Sequence, residues 1–291
     1  MRRLISFFML TLVSLTIAAT GQEGDIIYID GEQWELLGKP VYADSLLIRE
    51  LREALPDQRG WTTANWSGYT ACWSIRQGQL CLDSIQYEMF DANPLESRTK
   101  SMPSDALLRV FKDYADGKRI VAKWFSGDIR LARGKMIYYQ HNGFERNYEN
   151  ERIISIEQGK VCGMKDYHNF VIEGFSFDRS SFVRSPGNQN YVNLREMFPL
   201  HIEQYPELAD AKRIMFRVRR ARVNAQGRLV ECDVRVLRPA DNPRLAAEMA
   251  EAMKAYHPWR VYYVNGEYRA YGIEGYAFPY QLDNAKNSEQ P

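Results

Sequence analysis

The sequence predicts an α+β fold: an antiparallel β-rich N-terminal module with short helices, followed by a small β-β-α-β domain. Three observations carry this. Aromatic and β-branched residues, cut by glycine turns, fill most of the stretch from residue 24 to 180. Leu245, Met249, Met253 and Tyr256 recur at helical spacing late in the chain. The 291 residues are 45% hydrophobic, enough apolar material for more than one core.

The first element is expected to be removed. Met1, Arg2 and Arg3 form a short positive start, Leu4 to Ala19 is apolar apart from small hydroxyl residues, and a polar, acidic segment runs from Gln22 to Asp25. This pattern predicts a signal peptide over residues 1–21, cleaved between Ala18 and Gly21. The alternative is an uncleaved anchor, but sixteen helical residues rise only ~24 Å against a hydrocarbon core of ~30 Å. No cysteine stands at the cleavage boundary to carry a lipid, and no later apolar run is long enough to span a membrane. The expected mature chain therefore works outside the cytoplasm, with no stable transmembrane insertion.

Within the β-rich hairpin module of residues 24–180, Ile27, Ile29, Trp34 and Leu36 alternate around Asp30-Gly31, a pair suited to a tight hairpin turn. Asp44 is placed to cap a helix carrying Leu47, Ile48, Leu51 and Leu55, which Pro56 ends. A second helix is expected from Ser104 to Tyr114, before Asp116-Gly117. The strands between contain hairpin repeats. Trp73-Ser74-Ile75-Arg76-Gln77-Gly78-Gln79-Leu80-Cys81 echoes Ile154-Ser155-Ile156-Glu157-Gln158-Gly159-Lys160-Val161-Cys162, and Ala64 to Gly68 partly matches Ala122 to Gly127. The glycines before Gln79, Lys135 and Lys160 are expected at the left-handed position after a type I turn. The many aromatic residues are read first as sheet packing and second as a ligand surface.

Arg184-Ser185-Pro186-Gly187-Asn188 breaks the pattern, so residues 181–205 are expected to be a linker or connecting segment. The next domain, 206–280, begins with alternating Ile214, Phe216 and Val218. A turn at Asn224-Ala225-Gln226-Gly227 and a strand through Val234 and Val236 follow. Asp241 or Asn242 can cap a helix with Pro243 in its first turn. His257-Pro258 ends that helix before a strand from Trp259 to Val264 and the Asn265-Gly266 turn. Residues 281–291 form a polar tail.

Residues 206–280 resemble the C-terminal domain of the TonB family. The likeness rests on Tyr205-Pro206, the Phe216-Arg217-Val218 strand, Asn224 to Val230, Val234 with Val236, the helix from Arg244 to Ala255, and Pro258-Trp259 with Val264-Asn265-Gly266-Glu267. The resemblance implies a small sheet covered by one helix and recognition of a short envelope-protein segment by strand pairing. Tyr262, Tyr263 and Val264 are the implied peptide-binding positions. It also implies the periplasm, or the secreted or cell-surface space, of a Gram-negative bacterium. The long Pro-rich spacer of that family is missing, and the expected leader removes the anchor. The fold and peptide-edge binding carry over; energy transduction does not.

Composition excludes other classes. With 38 Lys plus Arg against 37 Asp plus Glu, no broad field favours nucleic acid or an anionic membrane. Cys72, Cys81, Cys162 and Cys232 are either disulfide partners in an oxidising compartment or free buried thiols, and their spacing contains no CxxC. His141, His168, His201 and His257 lack common metal-site spacing, so neither metal nor cofactor is expected. The sequence thus favours an extracytoplasmic binding or scaffold protein that recognises a peptide or cell-envelope protein. The alternative is an extracytoplasmic hydrolase with an acidic site in the N-terminal module.

Overall fold

A computed structural model describes residues 21–90, 97–178 and 192–282. The expected leader, the Arg184–Asn188 break and most of the polar tail lie outside the described residues. The fold is mixed α+β, with a β-rich N-terminal region and a smaller C-terminal region of strands and helices. The chain divides into two compact units. One gathers residues up to 133 with 138–146 and 152–165; the other gathers 134–137, 147–151 and the chain from 166 onward.

The first unit begins with β1 (Asp25–Ile29) and β2 (Glu32–Leu36), joined through Asp30-Gly31 with Ile27 opposite Trp34. Helix α1 (Ser45–Ala54) starts where the Asp44 carboxylate accepts from the N–H groups of Leu46 and Leu47, at 2.8 and 3.2 Å. Such a cap contributes about 1 kcal/mol. Strands β3 (Thr70–Arg76) and β4 (Gln79–Phe90) form the next hairpin, followed by β5 (Ser97–Ser101) and α2 (Ser104–Val110). Short strands β6 (Ala115–Asp116) and β7 (Arg119–Val121) precede the long β8 (Gly127–Tyr139), β9 (Arg146–Glu157) and β10 (Lys160–His168).

The strand path returns on itself. It runs β4-β3-β1-β2-β8-β9-β10, and β10 meets β4 again at Lys160 opposite Gln79. The ring is antiparallel except where β1 lies parallel to β3, with Ile27 opposite Trp73. Closure falls at the two echoed hairpins. Leu80 N–H donates to the Gly159 carbonyl and Val161 N–H to the Gly78 carbonyl, both at 2.8 Å. Leu80 and Val161 are equivalent positions of the repeated segment, as are Gly78 and Gly159, so this pair of bonds is two-fold symmetric. Ile27, Trp34, Leu36, Trp73, Leu80, Leu131, Ile154 and Ile156 share one core.

Turn chemistry differs from expectation. Both central residues have positive φ in Gln77-Gly78 (51° and 71°) and Gln158-Gly159 (45° and 78°). These are primed two-residue turns, whose backbone twist matches that of the strands. Gly134 marks no turn; it lies inside β8 at φ 86°.

One buried ion pair fixes β1 against β3. Asp25 accepts from Lys39 Nζ at 2.9 Å, Ala71 N–H at 3.0 Å and Trp73 Nε1 at 3.0 Å, and neither charged side chain is more than 6% exposed. Burial pushes the Asp25 carboxyl above its usual range, against the pull of Lys39, Trp73 and Ala71.

The second unit contains β11 (Phe170–Ile172), α3 (Leu194–Met197), β12 (Arg213–Val223), β13 (Leu229–Arg238), α4 (Pro243–Ala255), β14 (Val261–Val264), β15 (Glu267–Arg269) and β16 (Ala277–Gln281). Asn242 caps α4 by accepting from Leu245 N–H at 3.0 Å, with Pro243 in the first turn. The Leu/Met stripe forms as expected: Leu245, Met249 and Met253 are fully buried with Phe216, Val218, Val236 and Trp259. Trp259 stacks on Phe198 at 5.5 Å between ring centroids and donates its indole N–H to the Met253 carbonyl at 3.0 Å.

The sheet topology departs from a single β-β-α-β sheet. The order is β13-β12-β16, and β14 instead sits between β11 and β15 in a separate sheet. β16 takes the place beside β12 because Phe278 and Tyr280 pack onto Phe216, at 5.7 and 6.0 Å. β14 is anchored elsewhere. Its turn residue Asn265 donates its backbone N–H to Asn169 Oδ1 and its amide to Glu151, both at 2.9 Å.

Candidate functional site

Tyr262, Tyr263 and Val264 do not lie at an open sheet edge. Tyr262 stands opposite Val171 on one side and Arg269 on the other; Tyr263 stands between Phe170 and Tyr268. Both backbone edges of β14 are thus occupied. Tyr262 and Val264 are buried, and the Tyr263 ring stacks on Phe170 at 4.9 Å. Its partner β11 lies more than eighty residues earlier, so that pairing leaves no local trace around β14.

Like β16, β11 and β15, β13 is a terminal strand of its sheet. Its residues pair with β12 on one side, and among the described residues no backbone group pairs with the other. A groove of about 490 Å³ is lined by residues of β13 and α4, with Arg219 of β12. Cys232 and Val234 supply its wall from the core side of β13, Asp233 and Arg235 from the solvent side. The facing wall is Ala246, Ala247 and Ala250 of α4, whose methyl side chains leave the space open. Val230 and Leu237, near the two ends of the strand, are exposed.

Charge in the groove is internally compensated. Arg219 lies 3.6 Å from Asp233, Arg235 lies 3.4 Å from Asp241, and Glu251 pairs with Lys254. Cys232 brings a thiol to the groove. Burial pushes it up to about 12, so it is protonated and a poor nucleophile at neutral pH. Cys72 and Cys81 are buried, Cys162 is exposed, and all four cysteines are free thiols in the structure.

A second concavity, of about 520 Å³, is lined by Met197, His201, Glu248, Tyr256 and His257 among others. His201 Nδ1 lies 2.8 Å from Glu248 Oε1, and the Tyr205 hydroxyl donates to Glu248 Oε2 at 2.5 Å. Burial opposes ionisation of Glu248, but these donors hold it below the usual carboxylate range. Burial and the same contact push Tyr205 up to about 12. Among the described residues the lining contains no Ser, Thr or Cys beside this histidine–carboxylate pair.

A third concavity, of about 330 Å³, lies in the first unit and is lined by Glu23, Gly60, Trp61, Asn65, Gln86, Glu88 and Phe90 among others. Glu23 and Glu88 are its acidic residues among those described. Among the described residues no three His, Cys, Asp or Glu side chains form a metal-binding group, and no helix is long and apolar enough to cross a membrane.

Comparison with family models, curated proteins and solved structures finds no match to this chain. The functional reading therefore rests on the geometry of these grooves and on the sequence.

Proposed function

We propose that this is an extracytoplasmic binding or scaffold protein that takes an extended segment of a cell-envelope protein by strand addition along β13. The observation that carries the reading is the unpaired side of β13, together with the groove that its residues line with Ala246, Ala247 and Ala250. A peptide laid there extends the sheet and exchanges backbone hydrogen bonds with it, while alternate side chains enter the groove. The β12-β13-α4 order of the TonB-like segment supports a recognition role, with the pairing edge moved from β14 to β13.

Magnitudes set what the groove must supply. About five backbone hydrogen bonds at roughly 1 kcal/mol each give about 5 kcal/mol before the cost of ordering the peptide. Micromolar binding needs about 8 kcal/mol. Side-chain burial in the groove has to make up the difference, so the preferred peptide carries apolar residues at alternate positions.

The test is selection from a displayed random-peptide library, with selected peptides titrated against the wild-type protein and Ala247→Trp. Ala247 is exposed, so the indole fills the groove while leaving the α4 core stripe in place. The reading expects micromolar wild-type binding and a loss of about tenfold or more in the variant. Equal binding by both, or no enriched peptide, contradicts it.

A further inference from the structure

The two tryptophans matched in the partial echo have opposite fates. Trp124 packs against Phe111 and Tyr114, with ring centroids 5.2 and 4.9 Å away, and donates to the Pro40 carbonyl. Trp66 is 68% exposed, and Trp61 on the same loop is 67% exposed. Sheet packing does not account for this loop.

The loop is held firmly. Gly60 N–H donates to the Glu88 carbonyl at 2.7 Å, and Glu23 N–H donates to the Ala64 carbonyl at 2.7 Å. Trp66 Nε1 donates to the Thr63 carbonyl at 2.6 Å, which fixes its ring. The Phe90 ring packs directly on Gly60, where a Cβ would lie 2.5 Å from it. Phe90 and Trp61 both line the third cleft while remaining about half-exposed or more. Two large apolar faces thus stand in water at the cleft, at a cost that burial by a ligand would recover.

The rest of the cleft narrows the ligand's chemistry. Thr62, Asn65, Thr70, Gln86, Ser97 and Thr99 offer neutral hydrogen-bonding groups. Among the described residues Glu23 and Glu88 supply the charge of the lining, and Thr99 donates to Glu88 Oε1 at 2.5 Å. Among the described residues that lining holds no Lys or Arg, which disfavours a phosphate or carboxylate ligand. A ligand with flat C–H faces and many hydroxyl donors satisfies both halves of the cleft. A simple organic cation would use the rings and carboxylates, but leave the six neutral polar side chains without a role.

We propose that this cleft binds a neutral saccharide chain, with Trp61 and Phe90 contacting pyranose faces and Glu88, Gln86 and Asn65 bonding hydroxyl or amide groups. The site is separate from the β13 groove and does not depend on it.

Isothermal titration of the full chain with N-acetylchitohexaose and with cellohexaose tests this, with tetramethylammonium chloride as the cationic probe. The proposal expects saturable binding of at least one neutral hexasaccharide and none of the cation. Trp61→Ala and Phe90→Ala should each lower affinity about tenfold, and Trp61→Phe should restore most of it. Both truncated side chains are substantially exposed, so unchanged far-UV circular dichroism and denaturation midpoint would show that the fold is intact. Lack of binding by both hexasaccharides, preference for tetramethylammonium, or affinity unchanged in both alanine variants overturns the proposal.

Discussion

Lys39 and Asp25 show how one residue pair organises the first unit. The carboxylate joins the start of β1 to Ala71 and Trp73 of β3, and Lys39 supplies its ionic partner. Replacing Lys39 by Met leaves a buried charge unpaired, a loss expected to cost about 3–5 kcal/mol in denaturant titration. Its pH dependence has a definite sign. Burial already places the folded carboxyl above its unfolded value, and removing Lys39 raises it further. Folding of the variant then takes up a proton, so its stability should rise as pH is lowered toward the usual carboxylate range. A variant deficit that grows toward acid would contradict this. Met249, fully buried in the other core, gives a simpler outcome: Met249→Ala should cost about 2–5 kcal/mol through lost packing and the cavity left behind.

At the scale of elements, the echoed hairpins resemble each other in sequence and meet at ring closure, yet their glycines face different surroundings. A Cβ at Gly78 would meet nothing within 4 Å, whereas one at Gly159 would stand 2.9 Å from the Ala122 carbonyl. Gly78→Ala should therefore cost about 1–2 kcal/mol, the left-handed backbone strain alone. Gly159→Ala adds a backbone clash and should cost clearly more by equilibrium denaturation; equal losses would argue against the close approach at ring closure. Sequence made the locally signalled elements legible: the Asp44 and Asn242 caps, the Asp30-Gly31 and Asn265-Gly266 turns, and the Leu/Met stripe all depend on neighbours a few residues away. Strand partners were not legible. The β12–β16 and β11–β14 pairs bring together segments with no shared local pattern, and Pro279 disguises β16 as irregular chain. For the same reason the peptide-edge expectation landed on Tyr262–Val264, a strand already paired twice.

Across the whole molecule, two apolar cores serve one chain, and residues 166–178 of the stretch expected in the N-terminal module belong with the C-terminal unit. Lys39→Met and Met249→Ala should consequently loosen different cores. Native-state hydrogen exchange should accelerate mainly within residues 25–122 for the first and within 213–281 for the second. Uniform acceleration across both regions by either substitution would show a single cooperative unit instead. The candidate grooves were harder to foresee than the cores, because an open strand edge is defined by what lies beside it in space. Exposed Trp61 and buried Trp73 likewise read alike in composition and differ only through the fold.

The central claim is that β13 offers the edge to which a peptide adds. Hydrogen–deuterium exchange of the full chain, with and without a saturating library-selected peptide, tests it most directly. The account predicts added protection over Leu229–Arg238 and the facing α4 residues 243–251, with little change at 261–264. Protection centred on 261–264, or a saturating peptide that leaves β13 unprotected, would contradict it.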